Sequence, residues 1–413
     1  MPSISTRPFS ANGISYRPPA TPVVVVCVDG SAEEYFNASL ALAQMPNLTR
    51  IIVEGYRGLV RSALPSFTNV NNASIVTGVP PARHGICGNF FYDEKIGAEV
   101  MMNSAAYLRA ETLLASAARA GRRVAVVTAK EKLRDILAKD LQGIAFSAEK
   151  ADQAKKESHG LDRIEELVGS PKPEIYSADA SLFVLRAGVA LIRKGLADLL
   201  YLSLTDYLQH TFAPETRTSL DFYEAMDREW GNLLSAGALL GLTADHGMNA
   251  KVDASGNPRV LYLEEMLESE FGPGFRVICP ITDPYVKHHG ALGSYAVVHL
   301  TDKSQTTRVG HWLSRLSGVT EVHDKPSAVR LLEQPEDRAG DIAVLSGRDV
   351  VLGRRPAYHD LSALDGTLRS HGGRYEEMVS MFISRPLSEA YRRKAAGDPR
   401  NFQIFDFTIN GTS

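Results

Sequence analysis

Cysteine is scarce in this chain. Cys27, Cys87 and Cys279 are odd in number and widely spaced, which argues against a disulfide framework as the source of stability. A large excess of one charge is also missing: the 413 residues carry a net charge of -3, so there is no electrostatic footprint for nucleic acid. No apolar run approaches the roughly 20 residues a membrane span requires. The opening PSISTRPFSANG lacks both the charged start and the apolar stretch of a secretory signal. These absences make the cytoplasm the expected compartment and leave no nucleic-acid or membrane partner. The even charge neither demands nor forbids a homodimer. What is present is ordinary for a globular enzyme, with 44% hydrophobic and 23% charged residues, no internal repeat and no low-complexity tract.

Short β-branched or aliphatic runs between turn signals predict strands at Val23 to Val28, Arg50 to Val53, Arg123 to Thr128, Asp198 to Leu204, Ala238 to Ala244 and Met378 to Ile383. Helical patterns fall between them, at Ala32 to Ala43, Ala110 to Ala120, Asp179 to Lys194 and Ser219 to Ser235. Strand alternating with helix means an α/β fold, with a mostly parallel sheet covered by helices on both faces. Residues 1–250 and 360–413 are expected to form this core. The stretch 251–359, with VLYLEEML, GSYAVVHL, SAVRLLEQ and DIAVLS, shifts in composition and is expected to be a smaller α/β insertion capping it.

Carboxylates and imidazoles recur at the ends of the apolar runs. Asp29 closes VVVVCVDG, Asp206 and His210 share SLTDYLQH, Asp245 and His246 follow LLGLTA, and His371 lies in RSHGG. In parallel sheets ligands gather beyond the carboxyl ends of the strands, so the three aspartates can share one rim. Taken singly, several of these have plainer explanations. Asp29 before Gly30 suits a turn, a lone Asp-xxx-His spacing is weak, and His371 beside two glycines can be a loop residue. Asp245 with His246 is stronger, because a buried unpaired carboxylate after an apolar run would cost several kcal/mol. Jointly the six can hold two divalent ions, and zinc suits mixed imidazole and carboxylate ligands, with manganese and iron as alternatives. Thr68 in LPSFTNVNN adds a hydroxyl before a run that can start a helix, and two metals beside a hydroxyl point to phosphoryl or phosphonyl transfer.

That order of residues resembles the alkaline phosphatase superfamily, and within it the nucleotide pyrophosphatase/phosphodiesterase-like branch. The resemblance implies a superfamily fold, Thr68 as nucleophile and also a metal ligand, and Asp29, Asp206, His210, Asp245, His246 and His371 as the other ligands. The segment TGVPPARHGICGNFFYD is similar to the branch as well, which implies that Asn89 contacts a phosphoryl oxygen. In three further segments, NGISYRPPATPVVVVCVDG, VTAKEKLR and YVKHHGALGSYAVVHL, the chain resembles the phosphonoacetate-hydrolysing members. This implies hydrolysis of the carbon–phosphorus bond to acetate and phosphate, with Lys130 and Lys132 binding the substrate.

The charges agree with that implication. Two divalent cations against three carboxylates leave a positive site, which calls for an anion, and phosphonoacetate is charged at both ends. Lys130 and Lys132 fall on one side if their segment is extended, where they can meet the carboxylate; the plainer alternative is a solvated helix start. On the mechanism expected, an ion at Asp29, Asp245 and His246 activates Thr68 for in-line attack, with Asn89 and the amide of Asn69 steadying the oxygens. An ion at Asp206, His210 and His371 then activates water against the phosphothreonine. His84, His288 and His289 are possible contacts around the site, with structural roles the plainer reading. Two other functions stay open: a phosphodiesterase or phosphomonoesterase of the same branch, and a metal-binding protein without catalysis.

Overall fold

Val23–Cys27 has no polar side to offer water, and the chain buries both of its faces. The structure is a computed structural model that describes residues 3–281, 291–362, 364 and 366–412. Val23, Val25 and Cys27 enter one apolar cluster, while Val24 and Val26 enter another on the opposite side. This is the period-two pattern of a strand covered on each face. That strand, β1, lies in a seven-stranded sheet with β2 (Tyr56–Arg61), β3 (Val124–Thr128), β4 (Ile144–Ser147), β5 (Leu199–Ser203), β6 (Leu239–Thr243) and β7 (Met378–Ile383). The order is β2-β7-β6-β1-β5-β3-β4; β7 runs antiparallel to β6 and β2, and the other pairings are parallel. The fold is therefore the mostly parallel α/β sheet expected, flanked by helices that include α1 (Glu33–Ala41), α2 (Pro46–Glu54), α3 (Thr68–Thr77), α4 (Leu113–Arg119), α5 (Glu131–Leu137), α6 (Ala178–Arg193), α7 (Tyr207–Thr211) and α8 (Arg217–Ser235).

The strand expected at Arg50 to Val53 is instead part of α2. Pro46 occupies the first turn, where its fixed φ suits a helix. Leu48 and Ile51 are buried three residues apart while Val53 is 79% exposed, which is helical rather than alternating burial. The strand comes later, at β2, whose only buried residue is Val60. An edge strand of this kind carries no apolar run to announce it.

Between β6 and β7 the chain builds a second, antiparallel sheet of four strands in the order Phe275–Ile278, Tyr295–Leu300, Ile342–Ser346, Val319–Asp324. It has an apolar cluster of its own, including Leu267, Val298 and Val344. Among the described residues no helix is long and apolar enough to cross a membrane.

A buried ion pair ties this segment to the loop that carries His371. Lys251 Nζ donates to Glu376 Oε1 at 2.8 Å, to Ser294 Oγ at 2.7 Å and to the Arg348 carbonyl at 2.8 Å. Glu376 also accepts from Asn249 Nδ2 at 2.7 Å and from the Gly373 amide at 3.1 Å. Both charged side chains are fully buried, so removing one strands the other. Glu376→Ala is expected to cost about 3–5 kcal/mol in chemical denaturation. A loss below about 1 kcal/mol would show that Lys251 finds water or another partner.

Candidate active site

Three adjacent strands deliver the three aspartates. Thr243, Cys27 and Ser203 are paired across β6, β1 and β5, so these strands end at one level. Asp245 and Asp29 follow two residues beyond and Asp206 three. Gly30 makes the approach possible: its φ is +68°, and a Cβ there would lie 2.8 Å from Asp206 Cβ. The Asp-Gly turn anticipated as the plain explanation of Asp29 is therefore real, and it brings Asp29 beside Asp206. Gly372 does the same for the histidine loop, with φ +125° and an added Cβ only 2.4 Å from Phe67.

Thr68 is the first residue of α3, where the opening amides lack carbonyl partners within the helix. Its Oγ1 lies 3.4 Å from Asp29 Oδ1 and 3.3 Å from His246 Nε2. Asn69 follows it and is buried, its Nδ2 donating to the Met102 carbonyl at 3.2 Å.

All three imidazoles direct Nδ1 at a backbone carbonyl. Nδ1 of His210, His246 and His371 lies 2.8, 2.9 and 2.8 Å from the carbonyls of Arg369, Gly247 and Ser66. A carbonyl only accepts, so each Nδ1 carries a proton and each Nε2 is turned toward the carboxylates. His210 Nε2 is 2.9 Å and His371 Nε2 3.8 Å from Asp206 Oδ2, and His246 Nε2 is 3.3 Å from Asp29 Oδ1. The rings of His246 and His371 stack at 3.5 Å. Imidazole nitrogens and carboxylate oxygens converge here out of water, and Asp29 Oδ2 is buried without a partner among the described residues. The donor set thus fits divalent cations.

Two ligand groupings stand out, Asp206 with His210 and His371, and Asp29 with Asp206 and His246, the donor atoms within each lying within 4.8 Å of one another. The first is the expected trio. In the second Asp206 takes the place expected of Asp245, whose Oδ2 is 3.7 Å from His246 Nε2. Asp245 is held by three N–H donors, the amides of Gly30 and His246 at 3.1 and 3.0 Å and Asn72 Nδ2 at 3.2 Å. A third grouping, Glu94, His299 and Asp341, already has a cation, since Lys303 bonds both carboxylates.

The local charges shift accordingly. Burial, with Asp206 and Asp245 close by, holds Asp29 well above the usual carboxylate range. Burial pushes Asp206 the same way, but Lys130 and His210 prevail and hold it well below. Burial lowers His246, yet Asp245 and Asp29 carry it up to about 10. His371 is driven well below its ordinary value by burial and by His246 and His210.

The Lys130 and Lys132 segment is not extended. Lys130 caps the N-terminus of α5 and Lys132 lies in its first turn, while Glu131 is tied to Arg134 and Ser147. Nor is it solvated. Both lysines line the cleft that also holds Asp29, Thr68, Asn69, Asn89, Asp206, His210 and His371. Lys130 Nζ donates to Asp206 Oδ1 at 3.2 Å, and although burial opposes it, Asp206 and Asp29 keep the ammonium charged. Lys132 is pushed down to about 7 by burial and by the Lys130 charge.

Asn89 is anchored through its backbone, donating to the Pro280 carbonyl at 2.7 Å and accepting from the Met102 amide at 2.8 Å. Its Oδ1 is buried without a partner among the described residues. His84 bonds elsewhere: its Nε2 pairs with Ser74 Oγ at 2.8 Å, its Nδ1 accepts from the Ile86 amide, and burial lowers its pKa to about 3. His288 and His289 lie outside the described residues. The sequence reading missed the cleft's apolar wall of Phe67, Leu133, Leu204 and Ile281, and it missed Asn72. For Asn72 a signal existed: it lies four residues after Thr68, on the same helical face.

Residues 23–372 match the family described as type I phosphodiesterase / nucleotide pyrophosphatase. The crystal structure of phosphonoacetate hydrolase from Sinorhizobium meliloti 1021 in complex with phosphonoformate is 44% identical, with 99% of this chain and 100% of that chain covered and a TM-score of 0.93. Its complex with phosphonoacetate is similar at 43% identity, the same coverage and a TM-score of 0.93. Human ectonucleotide pyrophosphatase / phosphodiesterase 5 shares the fold, at 16% identity, 95% of this chain, 96% of that chain and a TM-score of 0.63.

Proposed function

The chain belongs to the type I phosphodiesterase / nucleotide pyrophosphatase family, and from that premise we propose that it hydrolyses the carbon–phosphorus bond of phosphonoacetate to acetate and phosphate. One observation carries the reading: two half-buried lysines share a small cleft with Thr68, Asp29, Asp206, His210 and His371. A phosphodiester with a bulky apolar leaving group has no use for paired cations there, whereas a phosphonate with an α-carboxylate does. The relative crystallised with phosphonoacetate and phosphonoformate supports the same substrate class.

Thr68 is the nucleophile. Two divalent ions, zinc by the donor chemistry, would be held by Asp29, Asp245 and His246 with Thr68, and by Asp206, His210 and His371, and would acidify the attacking hydroxyl and water. The Thr68 oxygen attacks phosphorus in line, the carbon–phosphorus bond breaks, and its electron pair moves into the carboxylate as an enediolate. Lys130 and Lys132 hold that growing charge, an interaction stronger in the transition state than in the bound substrate. Asn89 and the first amides of α3 hold the equatorial oxygens. Thr68 gives up its hydroxyl proton to solvent as it attacks, and the carbon takes up a proton from solvent to leave as acetate. Water on the Asp206, His210 and His371 side releases phosphate from the phosphothreonine.

The test is phosphate release from phosphonoacetate and from a nitrophenyl phosphodiester, with metal content measured on the same preparation. Turnover of phosphonoacetate with close to two ions per chain is expected. Preference for the diester would install a phosphodiesterase instead, and metal content without turnover of either would leave a binding protein.

A further inference from the structure

We propose that Asn72 is a positioning residue that locks the nucleophile's helix to the Asp245 carboxylate, so that Thr68 and the Asp29, Asp245 and His246 end of the site keep one geometry. The inference rests on the assignment of those residues as ligands given above.

Asn72 is fully buried, one helical turn beyond Thr68. Its amide has two acceptor positions and two donor hydrogens, and all four are used. Oδ1 accepts from Tyr201 Oη at 2.7 Å and from Ser203 Oγ at 2.8 Å, both on β5. Nδ2 donates to the Thr68 carbonyl at 3.0 Å and to Asp245 Oδ2 at 3.2 Å. A carbonyl and a carboxylate can only accept, so the NH2 group must face them and a flipped amide is excluded. One side chain thereby spans β5, the first turn of α3 and the loop after β6.

The consequence falls on Asp245. Its Oδ1 already takes the amides of Gly30 and His246, and the Asn72 bond to Oδ2 removes the remaining rotation. A neutral amide does this without adding another negative charge to a site that holds Asp29, Asp206 and Asp245. Ser203 and Tyr201 share the work, because their hydroxyls set the orientation of the amide. A loose Asp245 would bind cation poorly at its own end while leaving Asp206, His210 and His371 intact.

The experiment is a calorimetric titration of metal-stripped protein with zinc, for the wild type, Asn72→Ala and Tyr201→Phe. Asn72→Ala should weaken one of two zinc sites by about tenfold or more, the usual cost of losing a partner behind a metal ligand, and spare the other. Tyr201→Phe keeps the ring packing and removes one bond to the amide, so it should shift the same site in the same direction by less, and it stays informative if Asn72→Ala does not fold. Excess zinc should restore part of the kcat of Asn72→Ala on phosphonoacetate with little change in KM. Equal weakening of both sites would reduce Asn72 to general packing and overturn the proposal. Unchanged zinc binding in both variants would overturn it as well. A wild type that binds a single ion would overturn the two-metal assignment and this inference together.

Discussion

Thr68→Ala is expected to lower turnover of phosphonoacetate by roughly 10³-fold or more while the protein keeps its metals. The hydroxyl lies 3.4 Å from Asp29 Oδ1 and 3.3 Å from His246 Nε2, and in the proposed mechanism it is the attacking group. The three imidazoles are oriented by backbone carbonyls, and Asp245 by Gly30, His246 and Asn72, so these side chains have other bonds to hold them. Metal content by elemental analysis should therefore stay near that of the wild type as the rate collapses. A chelator should take the wild type to the same floor by the opposite route, with Thr68 intact and the metals gone. Thr68→Ser keeps a hydroxyl and should retain part of the rate. Normal turnover by Thr68→Ala would mean that water attacks phosphorus directly and that no phosphothreonine forms.

Lys132→Ala should lower kcat for phosphonoacetate by about 10²- to 10³-fold, the usual cost of deleting a group that stabilises developing negative charge. KM should rise too, since the same ammonium meets the ground-state carboxylate. Hydrolysis of a nitrophenyl ester should suffer far less, because its leaving group is stable without help. Lys130 bonds Asp206, so Lys130→Ala also disturbs a proposed metal ligand and should reduce both activities to some degree. Equal losses on the two substrates in Lys132→Ala would place the residue at the phosphoryl group, and no loss on either would remove it from the reaction.

The sheet and most of its helices were legible because burial on both faces writes long aliphatic runs into the chain, as in VVVVC. The strands missed were Tyr56–Arg61, mostly unburied at an edge, and Ile144–Ser147, only four residues at the other edge. Arg50 to Val53 was misread because a short apolar cluster has no period of its own, and the helix start at Pro46 decides it. In the site, residues with unusual chemistry were legible because an aspartate or histidine at the end of an apolar run is costly without a purpose. For Lys130 and Lys132 the helix start was legible, but only as a solvated alternative to an extended segment that meets the substrate; in the structure the segment begins a helix that carries both lysines into the cleft. Asn72 had only its spacing from Thr68 to mark it, because an asparagine within a helical run has many plain uses and its partners Tyr201, Ser203 and Asp245 lie about 130 to 170 residues away.

The place of β7 in the sheet has a consequence for biogenesis. Met378–Ile383 is the last strand of the sheet in chain order, yet it lies between Tyr56–Arg61 and Leu239–Thr243. On the ribosome the strand Tyr56–Arg61 therefore waits, without a neighbour in the sheet, for more than three hundred residues to be made. Such long-range pairings form slowly and leave edges open to wrong partners. His371 emerges shortly before this strand, so a nascent chain lacks the third imidazole until residue 371 has been made. The proposed ligand set cannot be complete before His371 has been made, so loading of both proposed metal sites would follow synthesis of that segment.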